Sequence, residues 1–87
     1  MNILKRADEI VNDRSEEKER EYGPMDEGMI KAAEIYSAIS NKKAEPEDMY
    51  LALVALKLSR ECYKHKEDNL LDAVAYLGAL NNYMNEK

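Results

Sequence analysis

The sequence predicts an all-α protein, a single four-helix antiparallel bundle completed by oligomerisation. Three observations predict it. Apolar residues recur at helical spacing in four separate runs, and no run alternates with the period of a strand. Gly, Pro and Asn punctuate the chain between those runs, leaving short connections that favour antiparallel neighbours. The run from Met49 to Leu58 is apolar at nine of its ten positions, a pattern that suits a helix at the centre of a bundle.

The first helix is expected over 2–13, with Ile3, Leu4, Ala7, Ile10 and Val11 on one stripe. Residues 14–24 read as a charged arm and a turn. Glu16 and Arg20 stand four apart, so the arm either extends helix 1 or stays a loop, and Tyr22-Gly23-Pro24 forces the turn. The second helix is expected over 25–40, burying Met29, Ile30, Ala33 and Tyr36. Asn41-Lys42-Lys43 then places cations at the negative end of its dipole. Pro46 suits the first position of a third helix over 46–64, with Glu47 and Asp48 in its first turn. Asp68 or Asn69 reads as the cap of a fourth, over 69–84, whose stripe carries Leu70, Leu71, Val74, Ala75, Leu77 and Leu80.

Eighty-seven residues make one domain. A chain of this size buries only about 60–65% of its unfolded surface, so association with a second copy stabilises it substantially. Trp and Phe are absent, and six Tyr supply the aromatic area. Tyr serves either as core filler or at sites that are half apolar and half wet. The net charge of −5 excludes DNA or RNA as the main partner, because duplex binding needs a basic surface. A mononucleotide in a locally basic pocket is still compatible with it. The lone Cys62 has no internal disulfide partner and no metal-ligand spacing around it, which reads as a cytoplasmic protein. No run reaches the roughly 18 apolar residues of a membrane span, and no signal-peptide core is seen at the N-terminus. His65, between Lys64 and Lys66, reads as solvated.

One residue does not belong in a plain bundle. Lys57 sits inside the apolar run, where an ammonium must snorkel out, pair with a carboxylate or meet an anion. At 100° per residue it shares a face with Tyr50, Leu53, Val54, Arg60 and Glu61. On helix 4, Asp68, Asp72 and Tyr76 are spaced by four and share another face. Antiparallel packing of helices 3 and 4 brings Lys57, Arg60 and Asp72 toward one another. Two outcomes are open: a structural ion pair that fixes register, or a pocket for an anion. In the second, Lys57 and Arg60, the Tyr hydroxyls and the Arg14/Arg20 arm converge on phosphate, and the rings of Tyr22, Tyr36, Tyr50 and Tyr76 flank a base.

Several short motifs carry a resemblance. Asn12-Asp13-Arg14, Tyr22-Gly23-Pro24, Ile35-Tyr36-Ser37-Ala38, Pro46-Glu47-Asp48, Leu56-Lys57-Leu58-Ser59-Arg60, and Asp72 with Tyr76 resemble a family of short, uncharacterised phage and prophage proteins. The charged insert between Asp13-Arg14 and Tyr22-Gly23 is longer than that pattern expects, which leaves open whether Arg14 or Arg20 plays the arm's role. The helix order is also similar to the all-α nucleoside triphosphate pyrophosphohydrolases of the MazG type. That resemblance implies a MazG-like bundle, in which a Glu-x-x-Glu and a Glu-x-x-Asp hold Mg²⁺ against substrate phosphates. Asp72 matches the last of those acids, but Asn69 stands where its partner Glu belongs. Leu53, Leu56 and Lys57 occupy the place of the other pair, and Asp48 and Glu61 lie about 20 Å apart by helical rise, too far to share an ion. The resemblance therefore implies a disabled hydrolase in which Lys57 supplies the positive charge a metal would have brought.

The function expected is non-catalytic binding and sequestration of a nucleotide or nucleotide-derived immune signal, as a phage anti-defence sponge in a bacterial host cell, without cofactor or metal. The site set is Arg14, Arg20, Tyr22, Tyr36, Tyr50, Lys57, Arg60, Asp72 and Tyr76. Two alternatives stand beside it. One is a divergent Mg-dependent pyrophosphohydrolase using Asp72, Asp68 and either Asp48 or Glu61. The other is a structural or host-protein-binding module whose apolar helix 3, Met and Tyr form an interface. A homo-oligomer, dimer or higher, is expected under each, with no membrane contact.

Overall fold

A computed structural model describes residues 2–13 and 24–86, and these form four helices and no strand. They are α1 (Ile3–Asn12), α2 (Met25–Ser40), α3 (Pro46–Tyr63) and α4 (Glu67–Glu86). The protein is an all-α bundle.

Local chemistry sets the helix ends. Asn2 caps α1, its Oδ1 accepting from the backbone N–H of Leu4 at 3.0 Å and of Lys5 at 3.2 Å. Asp26 and Glu27 place negative charge at the positive end of α2. That helix stops at Asn41, whose φ of 59° is left-handed, a conformation Asn tolerates better than most residues. Ser37 ties the following loop back, its hydroxyl accepting from Ala44 N–H at 2.8 Å. α3 opens on a reciprocal capping box between Glu45 and Asp48, with Pro46 in the first turn, where its missing N–H does no harm.

Packing makes α4 the central helix. It lies along α3 on one side and α1 on another, whereas α2 rests on α3 and only touches α4. Going back along α3 and forward along α4, Glu61 meets Asn69, Lys57 meets Asp72, and Tyr50 meets Tyr83. The two helices therefore run antiparallel. α1 instead runs alongside α4 in the same direction. Ala7, with Ile3 and Val11, packs on Leu71, Ala75 and Val74, and Asn12 bonds to Asn82 further on. Tyr50 is the most enclosed large side chain, 1% exposed, with its ring 5.9 Å from that of Tyr83.

Two expectations are corrected here. The apolar helix α3 is not enclosed by the chain's own helices: Leu51, Leu56 and Leu58 stay 44–50% exposed. α4 takes the centre because Ala73, Ala75, Gly78 and Ala79 give it a thin profile, and helices approach most closely over small side chains. The start of α4 also lies earlier than 69. The helix begins at Glu67, so Asp68 and Asn69 sit within its first turn rather than capping it. No helix among the described residues is long and apolar enough to cross a membrane.

Candidate functional site

The α3–α4 seam carries the cation that the sequence singles out. Lys57 Nζ lies 2.9 Å from Asp72 Oδ2, with the Lys side chain 18% exposed and the Asp side chain 37% exposed. Lys57 projects from α3 toward α4 because it is one turn from both Val54 and Glu61, whose side chains face the same way. Asp72 answers it from the second turn of α4. The more open side of the pair is the Asp72 carboxylate.

The other predicted residues are spread more widely. Arg60 is on α3, exposed, and makes no ion pair among the described residues. Tyr76 is half-buried one turn beyond Asp72 on α4. Tyr36 is exposed on α2 and neither ion-pairs nor hydrogen-bonds with Lys57 or Asp72. Tyr50 is enclosed against Tyr83, so the ring expected to flank a base is instead core. Arg14, Arg20 and Tyr22 lie outside the described residues.

Two polar arrangements escaped the sequence reading. The first closes the α3–α4 turn. The Glu61 carboxylate accepts from the His65 ring, from Lys66 N–H at 3.1 Å and from Asn69 Nδ2 at 3.4 Å. The hydrogen bond from His65 holds the Glu61 pKa below its ordinary value of 4.5, partial burial opposes that, and the donors on Lys66 and Asn69 lower it further. Asn69 is buried and also donates to Lys64 C=O at 3.4 Å, so this cluster is satisfied from within. Its sequence signal was the polar pair Glu61 and Asn69 placed symmetrically about the turn.

The second is an open groove of about 270 Å³ between α1 and α4. Leu4, Ala7, Val11 and Val74 form its floor and Asp8, Asn12, Asn81 and Asn82 its polar rim. A relay crosses that rim, Asn82 donating to Asn12 at 3.0 Å and Asn12 to Asp8 at 2.6 Å. None of the predicted site residues lines it. Among the described residues no three His, Cys, Asp or Glu side chains come close enough to hold a metal ion.

The fold and the seam together define a small helical bundle with an ion pair let into its main helix–helix contact. The chain belongs to DUF6378, a family described as a domain of unknown function, which spans residues 2–84. No curated protein and no solved structure matches it.

Proposed function

We propose that the protein binds a nucleotide or nucleotide-derived signal without turning it over, and acts by sequestering it. The observation that carries this reading is the half-open Lys57–Asp72 pair at the α3–α4 seam. Lys57 supplies a point charge for a phosphate, and Arg60, about one turn further along α3, supplies a bidentate fork. When the phosphate takes the ammonium, Asp72 is released to accept hydrogen bonds from sugar hydroxyls, and Tyr76 stands one turn beyond it. A binder of this kind needs no metal, because its own cation neutralises the ligand. The resemblance to phage proteins gives sequestration a setting, removal of an immune signal inside a bacterial host.

The test is calorimetry of the purified chain against mononucleotides, cyclic dinucleotides and ADP-ribose-type molecules, repeated with Lys57→Ala. Binding by the wild type that weakens at least tenfold in the variant supports the proposal. No binding to any of them, or equal binding by Lys57→Ala with its helicity intact, refutes it.

A second reading, a module that docks another protein, draws on a different observation. On α2, Ile35 and Ile39 are 53% and 79% exposed. A stoichiometric host protein recovered with the wild type, and lost with Ile39→Glu, distinguishes it from the first.

A further inference from the structure

We propose that α3 is the dimer interface of this protein, pairing antiparallel with α3 of a second copy across a seam of Leu51, Ala55, Leu58 and Cys62. These four residues are spaced by four, three and four, the repeat of a coiled-coil seam. At 100° per residue they fall within about 60° of one another, roughly a quarter turn round α3 from the arc that Tyr50, Val54, Lys57 and Glu61 present to α4. All four are exposed: Leu51 at 50%, Leu58 at 45%, Ala55 and Cys62 likewise open. An apolar stripe of this regularity is what a partner helix covers.

Shape and charge both select a second copy, and both select its direction. With a two-fold axis crossing between Ala55 and Leu58, each Ala55 faces a partner Leu58, and each Leu51 faces a partner Cys62. Every contact then sets a large side chain against a small one, the arrangement that interdigitates best. The same axis brings Asp48, in the acidic first turn of α3, opposite the partner's Lys64-His65-Lys66 turn, all of them exposed. A parallel pair instead stacks acid on acid and base on base, Ala55 on Ala55 and Leu58 on Leu58. Opposed helix dipoles favour the antiparallel form as well.

The contact is modest. Eighteen residues of α3 run about 27 Å. A two-helix contact of that length falls below the roughly 1,600 Å² of a standard interface, so a reversible dimer with Kd on the order of micromolar to tens of micromolar is expected.

The geometry is tested by oxidative cross-linking of the full chain at about 200 μM, well above that Kd. In Leu51→Cys the new thiol faces Cys62 of the other copy. Within one chain the two are eleven positions apart on one helix, about 16 Å, beyond the reach of a disulfide. The variant is expected to yield a reducible covalent dimer. Wild type is expected to yield none, because antiparallel pairing holds the two Cys62 residues apart, and Leu51→Cys with Cys62→Ala none either. Sedimentation of Leu58→Arg, a surface change that leaves the α4-facing arc intact, is expected to show at least tenfold weaker association. The proposal is overturned if Leu51→Cys stays monomeric with wild-type helicity, if wild type cross-links through Cys62 as readily, or if Leu58→Arg associates as strongly as wild type.

Discussion

Removing one partner of the Lys57–Asp72 pair has an asymmetric effect that the geometry sets in advance. At 2.9 Å two unit charges attract by about 1.4 kcal/mol in a water-like medium and about 6 kcal/mol at an effective dielectric of 20. Asp72 is 37% exposed, which pulls the pair toward the first limit, and desolvation of both ions offsets most of what is left. The coupling between them is therefore expected at about 1 kcal/mol. Asp72→Ala strands an ammonium that is only 18% exposed, and a loss of about 1.5–2 kcal/mol follows. Lys57→Met keeps the aliphatic stem packed, and the better-exposed Asp72 rehydrates, so the loss is at most about 0.5 kcal/mol.

Urea unfolding followed by circular dichroism measures both, together with the double variant, in a thermodynamic cycle. For a domain of this size Asp72→Ala lowers Tm by roughly 6–15 °C, and adding Lys57→Met recovers about half of that. Equal losses for the two single variants, or losses that simply add in the double, refute the reasoning. The cycle also isolates what the pair does for the fold from what Lys57 does for a ligand, since Lys57→Met is expected to fold normally while losing its phosphate charge.

Three other outcomes are expected. Glu61 titrates below its ordinary value, so its contribution is fully present above that value and is lost as pH falls through the lowered folded-state pKa. In urea titrations between pH 6 and pH 3, Glu61→Gln should therefore flatten the acid limb of the stability profile; an unchanged limb counts against the turn cluster. Gly28 has nothing within 4 Å of an added Cβ, and at Gly78 the added Cβ meets only Val11 Cγ2 at 3.8 Å. Each Gly→Ala change should accordingly raise stability by about 0.5–1 kcal/mol, read as a higher urea midpoint, by removing backbone freedom from the unfolded chain. At Asn41, with φ 59°, Asn41→Gly should hold or raise stability and Asn41→Ala should lower it by about 1 kcal/mol in the same assay, and the reverse order would mean that α2 does not end there.

Three helix boundaries were legible because each carries a residue with a local reason to be there. Pro24, Asn41 and Pro46 act through their own backbone dihedrals, and no tertiary partner is needed to read them. The start of α4 was not legible in that way. Asp68 and Asn69 have the side chains of caps, yet Asn69 turns inward to Glu61 and to Lys64 C=O, contacts made across the turn. Propensity describes what a side chain does when nothing else competes, and here the partly buried Glu61 carboxylate competed. The Lys57–Asp72 approach was legible because one inference, antiparallel packing of α3 on α4, suffices to place both. Tyr50 was not: that a Tyr is core or pocket wall depends on whether Tyr83 reaches it, and Tyr83 lies more than thirty positions away.

The exchange of centre between α3 and α4 has the same cause, and it bears on what α3 is for. A continuous apolar run names a helix with surface to bury, whereas the centre of a single chain goes to the helix that lets two neighbours come close. α4 earns that place with Ala73, Ala75, Gly78 and Ala79. α3 carries Leu51, Leu56 and Leu58 away from α4, and among the described residues that side stays exposed. α1 turns Lys5, Arg6 and Asp8 to solvent, with Leu4 exposed beside them. The α3 stripe differs in its regular four-three-four spacing, the feature on which the proposed second copy rests. In that dimer the Lys57–Asp72 pair flanks the new seam rather than lying across it, so loss of the dimer in Leu58→Arg and loss of ligand in Lys57→Ala are separable effects.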